Sequence, residues 1–245
     1  MKTIKSLITA VLVFAISFSA FGQDEVSERE VIALLELQSR TKGNLWTHQW
    51  DRNTPIAQWH GVTVKDGKVV ALDLSNNNLQ GKIPLTIGNL KYLRHLDLSN
   101  NNIEGKMPRL FRKLQYLETI DLAGNNLEGP LPTTIYRLAS LTELNVAGNN
   151  LEGSLPEALT ELSKLTTLAV ADNAFEGTMP AGMEKMKKLK KLYIANNAFS
   201  NLDNLRSLAA QQIVMTDIDV NSANFKPIDF EQNGLSKLEF VDENE

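Results

Sequence analysis

The chain contains no cysteine. That excludes a disulfide framework, a thiolate metal site, a thiol nucleophile and a lipidated N-terminal cysteine. Histidine is nearly as scarce. His48, His60 and His95 are the whole complement, and no two of them stand at the spacing of a metal site. A surplus of positive charge is missing too: 25 Lys and Arg face 29 Asp and Glu, for a net charge of −4. Nothing therefore draws the chain broadly to nucleic acid. No nucleophile elbow, phosphate loop or kinase signature occurs. Carboxylate pairs such as Asp97 and Asp121 fall on an open strand pattern, without the closed pocket that raises one pKa above its neighbour's. The expectation is a protein with no catalytic activity, no cofactor and no metal.

Long apolar runs are absent except at the start. Lys2 and Lys5 precede an apolar run over residues 7–18, and Ala20 and Gly22 follow as small residues. This is the plan of a cleavable secretory signal over residues 1–22, with cleavage after Gly22. The run is short for a membrane anchor. The membrane is expected to matter only through this segment, and the protein is expected to be secreted, periplasmic or at the cell surface.

What the chain has in abundance is one phrase. It reads Leu93-x-x-Leu96-x-Leu98-x-x-Asn101-x-Ile103-x-Gly105-x-Met107-Pro108, and it recurs every 24 residues from Val69 through Leu117, Leu141 and Leu165 to Leu189. A fixed period in this range marks a solenoid. Leu96 and Leu98 alternate with polar neighbours, which predicts a short strand with one buried face. Stacking the repeats turns these strands into a parallel sheet. The column Asn77, Asn101, Asn125, Asn149, Asn173 and Asn197 stands where the chain must turn inward. An amide offers both donors and an acceptor there, so the column predicts a ladder that satisfies its own turn and the next coil's. Gly81, Gly105, Gly129, Gly153 and Gly177 permit a bend that a Cβ hinders. Pro84, Pro108, Pro132, Pro156 and Pro180 fix φ on the far side.

The organisation follows: residues 1–22 a signal, 23–68 an N-terminal helical and tryptophan cap, 69–206 six repeats, 207–245 a degenerate seventh repeat and an acidic C-terminal cap. The degenerate strand is read from Met215, in the place of Leu189. Ser27 and Glu30 fit a capping box, and Val31, Ile32, Leu34 and Leu35 suggest the buried helical stripe. Trp46, Trp50 and Trp59, the only tryptophans, either close the open end of the array or offer an aromatic platform to a sugar.

The run Trp46, Trp50, Trp59-His60-Gly61-Val62 and the pattern Leu-x-x-Leu-x-Leu-x-x-Asn-x-Leu-x-Gly-x-Ile-Pro resemble the plant-type leucine-rich-repeat family. That family includes receptor-kinase ectodomains, polygalacturonase-inhibiting proteins and secreted bacterial relatives. The resemblance implies an α/β repeat solenoid, a right-handed horseshoe with a parallel β-sheet on its concave face and an irregular or 3-10 convex side. Ala57 and Val64 stand where the family's cap often has cysteines. The cap must then hold by packing alone, and this departure favours a bacterial secreted protein over a plant one.

A solenoid binds through the exposed strand positions of its sheet. Those positions carry Arg94, His95, Asp97, Glu118, Asp121, Glu143, Asn145, Lys190, Lys191 and Tyr193. The face is polar and nearly free of aromatics. Two further columns stand out. Gln80, Glu104, Glu128, Glu152 and Glu176 occupy a place where relatives prefer serine; a solvated ladder, a basic partner or a cation between coils all fit. Lys185, Lys187, Lys188, Lys190 and Lys191 crowd the end of the array, as a solvated edge or a patch steering an anionic partner. The expected function is recognition of an extracellular protein, peptide or glycan. The alternatives are ice or surface binding, through the regular column Asn78, Asn102, Asn126 and Asn150, and inhibition of a polysaccharide-degrading enzyme, which rests on the resemblance.

Overall fold

The computed structural model of the chain describes residues 26–201 together with residues 205, 214 and 215. The expected signal segment and almost all of the expected C-terminal cap lie outside the described residues.

Helix α1 (Glu28–Arg40) buries Glu30, Ala33, Leu34, Leu37 and Gln38, positions that recur every three or four residues. The expected stripe is therefore rotated: of Val31, Ile32, Leu34 and Leu35, only Leu34 is fully buried. Glu30 is the reason. Its carboxylate accepts the Val69 N–H at 3.1 Å and the Ser27 hydroxyl at 2.7 Å. The expected capping box does not form, because the Ser27 side chain donates to Glu30 and accepts nothing from the helix backbone. A buried carboxylate needs such partners, and here they tie the helix to the first strand of the repeat array.

Strands β1 (Val62–Lys65) and β2 (Lys68–Asp73) pair antiparallel. Asp66 and Gly67 join them with φ of 51° and 65°, the two positive values that a tight hairpin demands. The three tryptophans lie beneath this hairpin and α1, each at most 5% exposed. Trp46 meets Trp50 edge-on at 4.9 Å, and Trp50 stacks on Trp59 at 4.8 Å. Every indole N–H donates to a backbone carbonyl: Trp46 to Thr41, Trp50 to His60, Trp59 to Asp51 and Thr54. Buried and satisfied in this way, they leave no ring face for a sugar, and the platform reading falls.

From here each 24-residue coil repeats one path. A short strand is followed by the asparagine turn and a second strand and, in the first five coils, by a proline and a 3-10 turn. The first strands are β2, β4 (His95–Asp97), β6 (Thr119–Asp121), β8 (Glu143–Asn145), β10 (Thr167–Ala169) and β12 (Lys191–Tyr193). The second strands are β3 (Gln80–Gly81), β5 (Asn102–Lys106), β7 (Asn126–Gly129), β9 (Asn150–Gly153), β11 (Ala174–Thr178) and β13 (Ala198–Asn201). With β1 at one edge and β14 (Val214–Met215) at the other, the first strands form an eight-stranded sheet, parallel except at β1. The second strands form a six-stranded parallel sheet of their own, which the sequence reading had as irregular chain. Leu85–Asn89, Arg109–Lys113, Thr133–Arg137, Glu157–Glu161 and Met183–Lys185 are the 3-10 turns, the first four entered directly from a proline.

The leucine columns fill the space between, with Leu96, Leu98, Leu144 and Leu168 at most 1% exposed. The asparagine ladder forms, but it points back along the array. Asn125 donates to Leu122 and Ala123 of its own coil and to Leu98 of the coil before, and accepts the Ile103 N–H of that same preceding coil. At the start no preceding coil exists. The backbone of His48 stands in for it, bonding both ends of the Asn77 amide. The residue just before each ladder asparagine has positive φ in every coil: Asn76, Asn100, Gly124, Gly148, Asp172 and Asn196. These are the residue types that tolerate the left-handed region, so this column is as much a folding signal as the asparagine itself.

At the far edge β14 pairs with β12, and Met215 lies opposite Leu192. The expected alignment with Leu189 is off by three residues. The run Ile213-Val214-Met215 is apolar without alternation, so its pattern does not set a register.

Candidate functional site

The outward face of the eight-stranded sheet is the candidate site. Strand pairing aligns His95 with Thr119, Thr119 with Glu143, and Asp97 with Asp121 and then Asn145. Lys191 and Tyr193 align with Thr167 and Ala169. The ten candidate residues thus share one face, but in two groups. Arg94, His95, Asp97, Glu118, Asp121, Glu143 and Asn145 occupy three adjacent coils. Lys190, Lys191 and Tyr193 are separated from them by the neutral coil of Thr166, Thr167 and Ala169, a gap of about 10 Å between flanking coils at the usual strand spacing.

Within the first group the side chains bind one another along the array. Arg94 pairs with Glu118, in contact range. His95 Nδ1 lies 3.1 Å from the Thr119 hydroxyl. Asn145 Nδ2 donates to Asp121 at 3.0 Å. The acidic column has a second task. Asp73 and Asp97 each accept a backbone N–H and the hydroxyl of the serine two residues on, and Asp121 and Asn145 accept the N–H of Ala123 and Ala147. One oxygen of each therefore closes the strand-to-turn corner; the second oxygen of Asp121 accepts from Asn145, and those of Asp73 and Asp97 are not used in the corner. Side chains held in this way lose little further freedom when a ligand arrives.

Burial pushes the Asp121 carboxyl above the ordinary aspartate value of 3.8; hydrogen bonds from Ala123 and Asn145 pull it partly back, and the charge of Asp97 adds to the rise. A raised folded-state pKa means the native state holds its proton more tightly than the unfolded chain does. The resulting stabilisation is complete below the unfolded value and is lost as pH rises through the folded one. Asp121→Asn removes the buried charge, but also the second oxygen that accepts from Asn145. We expect the stability of the variant relative to the parent to rise between the aspartate range and pH 7, where the parent carries the cost of the ionised carboxyl. A variant-to-parent difference in thermal stability that stays constant with pH refutes this account.

The histidines are not as scattered as their spacing implies. His48 and His60 come together in the cap, ring centroids 4.3 Å apart, while His95 stays on β4. Among the described residues no group of three or more His, Asp and Glu is placed to hold a metal ion.

Sequence reasoning missed two surface features. On the six-stranded sheet, Glu104, Glu128, Glu152 and Glu176 are exposed as expected, but they alternate along each strand with exposed Asn102, Asn126, Asn150 and Ala174. An open cleft of about 660 Å³ lies there, lined among others by Lys106, Glu128, Asn150, Glu152 and Asp172. The stems of Lys82 and Lys106 lie across the next coil's glycine, within 3.1–3.4 Å of where a Cβ on Gly105 or Gly129 would stand. The second feature is an aromatic pair just before the concave strands. Tyr92 and Tyr116 are 39% and 48% exposed and stack at 5.9 Å, 13° from parallel, with Lys68 Nζ 4.3 Å above the Tyr92 ring. Their 24-residue spacing is visible in the sequence, but they lie in the turns just before the strands, outside the alternation that marks the concave face.

Comparison with known proteins places these observations. A family profile for a leucine-rich repeat region matches residues 68–226. The LRR receptor-like serine/threonine-protein kinase EFR of Arabidopsis thaliana is 33% identical over 102 residues, which is 39% of this chain and 10% of that protein. The chain thus spans about a tenth of such curated relatives. Among solved structures, the Arabidopsis receptor kinase HAESA, in complex with the peptide hormone IDA and the co-receptor SERK1, is 28% identical with a TM-score of 0.70, over 78% of this chain and 33% of that one. A plant ice-binding protein superposes with a TM-score of 0.71 at 22% identity, over 79% of this chain and 64% of that one, a likeness of fold alone.

Proposed function

The chain belongs to the leucine-rich-repeat family, and from that premise we infer that it is a non-catalytic recognition module working outside the cytoplasm. Its ligand is an extracellular protein or peptide, held on the concave face without a cofactor. The observation that carries this reading is the row of mutually bonded polar side chains, Arg94–Glu118, His95–Thr119 and Asp121–Asn145, on a rigid sheet. Each leaves donors or acceptors outward at the coil spacing, and that is what an extended chain laid across the strands requires. HAESA, a similar structure, holds a peptide hormone, which supports the peptide class. The apolar run over residues 7–18 supports export.

An enzyme-inhibitor role rests only on resemblance to family members. Ice binding is disfavoured by the break of the asparagine column at Ala174 and by the glutamates beside it, since charged groups hold their own water and disturb a regular array.

The test is capture by the purified protein, beside a variant carrying Arg94→Ala, Asp97→Ala, Glu118→Ala and Tyr193→Ala. Extracellular proteins and a peptide library serve as bait, with a glycan array in parallel. Loss of at least tenfold in affinity by a folded variant is expected. Unchanged binding would move the site off this face, and binding of glycans alone would overturn the ligand class.

A further inference from the structure

At the edge where each coil enters the concave sheet, one position carries a stack with a missing member. In coil order that position reads Lys68, Tyr92, Tyr116, Ser140, Lys164, Lys188. The strands that follow are locked in 24-residue register, so these side chains stand in file. The N-terminal half of the file is complete: Lys68 covers one face of Tyr92, and Tyr116 covers the other. The next coil offers only Ser140, so the far face of Tyr116 meets no ring. Beyond the serine, Lys164 repeats the role that Lys68 plays for Tyr92, and it is exposed.

The dimensions of the gap select its occupant. Two coil steps separate Tyr116 from Lys164, about 10 Å. A flat ring stacked on Tyr116 and capped by an ammonium needs about 4–5 Å on each side. An aromatic ring has a π-face for both neighbours. A sugar stacks on tyrosine but has no π-face to offer a lysine. Charge sets the second requirement. Lys164, Lys187, Lys188, Lys190 and Lys191 are all exposed, and none takes part in an ion pair among the described residues. From the serine rung to the Lys188 coil is again about 10 Å, or roughly three residues of extended chain.

We propose that this edge is a docking site for an acidic peptide segment that seats one aromatic side chain between Tyr116 and Lys164, over Ser140, and lays carboxylates two to four residues away on Lys188, Lys190 and Lys191. The proposal rests on the reading of the protein as a recognition module. It adds the chemistry of the partner and moves its anchor from the strand face to the strand entry.

The decisive substitution is Ser140→Tyr, which fills the missing rung with the protein's own ring. It stands half-buried on a turn and extends an existing stack, so the fold is expected to tolerate it. Titration calorimetry would use a synthetic ten-residue peptide with one Phe followed three residues later by two Asp, its Phe→Ala form, its Asp→Asn form, and a uronic acid oligomer. Saturable binding of the first peptide is expected, weakened at least tenfold by Ser140→Tyr, by Tyr116→Ala, and by either change in the peptide. Absence of binding to the parent protein overturns the proposal, as does equal binding to Ser140→Tyr or equal binding of the Phe→Ala peptide. Preferential, Ser140→Tyr-sensitive binding of the oligomer overturns it in favour of a glycan. The four-residue concave variant separates the two claims. If it loses its ligand while Ser140→Tyr keeps it, the concave reading stands and this inference fails alone.

Discussion

Replacing Trp50 with alanine is expected to cost about 3–5 kcal/mol, the range for deleting a buried tryptophan. Trp50 is the middle of the three-indole stack, edge-on to Trp46 and face-on to Trp59. Its truncation opens a cavity that both neighbours line, and it leaves the His60 carbonyl without the indole N–H that meets it at 2.8 Å. The damage reaches the repeats by a defined route. The backbone of His48, two residues earlier, holds the first ladder amide, Asn77. Loosening the indoles releases that contact and exposes the first coil, and in a solenoid a coil is stabilised by its neighbours. Chemical denaturation is expected to show a lower midpoint, with hydrogen exchange rising first at the amides of β2 and β3. A Trp50→Ala protein within 1 kcal/mol of the parent would mean that the indole cluster does not close the array.

No cysteine supports this region, where members of the family often have a bridge across the positions of Ala57 and Val64. Packing and hydrogen bonds hold it alone, through three satisfied indoles and the carboxylate of Glu30 on Val69. The Glu30 contact shows where sequence reading stops. A glutamate three residues after a serine at a helix start reads as a cap, because the reading considers neighbours in sequence. Glu30 does meet the Ser27 hydroxyl, but its other partner, the Val69 N–H, is 39 residues away, and nothing local announces it. The ladder, the leucine columns and the proline-entered turns were legible for the opposite reason. Each is one local requirement stated four to six times over, so chance variation in any coil is outvoted by the rest. The second sheet was not legible, because segments such as Asn102-Ile103-Glu104-Gly105-Lys106 have poor strand composition. They are extended because coil stacking sets their backbones side by side, not because their residues prefer it. The candidate site divides in the same way. Which residues face outward followed from alternation. That Asp97 and Asp121 also close corners is a bond to the residue two positions on, which alternation does not announce, and that Tyr92 and Tyr116 form a stack with a vacant rung depends on a contact between coils.

Asn101→Ala should be the most damaging alanine change in the asparagine ladder, on the order of 3 kcal/mol. Asn101 is 6% exposed. Its Nδ2 donates to the carbonyls of Leu74, Leu98 and Ser99 at 2.8–3.0 Å, and its Oδ1 accepts the N–H groups of Asn77 and Leu79 at 3.1 and 2.9 Å. Alanine supplies none of these, and each buried group left unmet costs about 1–3 kcal/mol. Some relief comes from relaxation and water, which keeps the total below the sum. Two companions make the claim specific. Asn197 makes the same three donations but accepts one N–H, that of Phe175, instead of two, and it is only partly buried, so water can replace its amide and Asn197→Ala should cost less than half as much. Asn101→Asp keeps the acceptor but faces three carbonyl oxygens with a carboxylate. Burial and those oxygens favour its protonated form in the folded state, so the folded pKa is raised. Its stability should therefore be greatest at low pH and fall as pH rises through that value, while Asn101→Ala shows no such added slope. Equal losses for Asn101→Ala and Asn197→Ala would show that burial of the amide does not set the alanine penalty, and would refute this account.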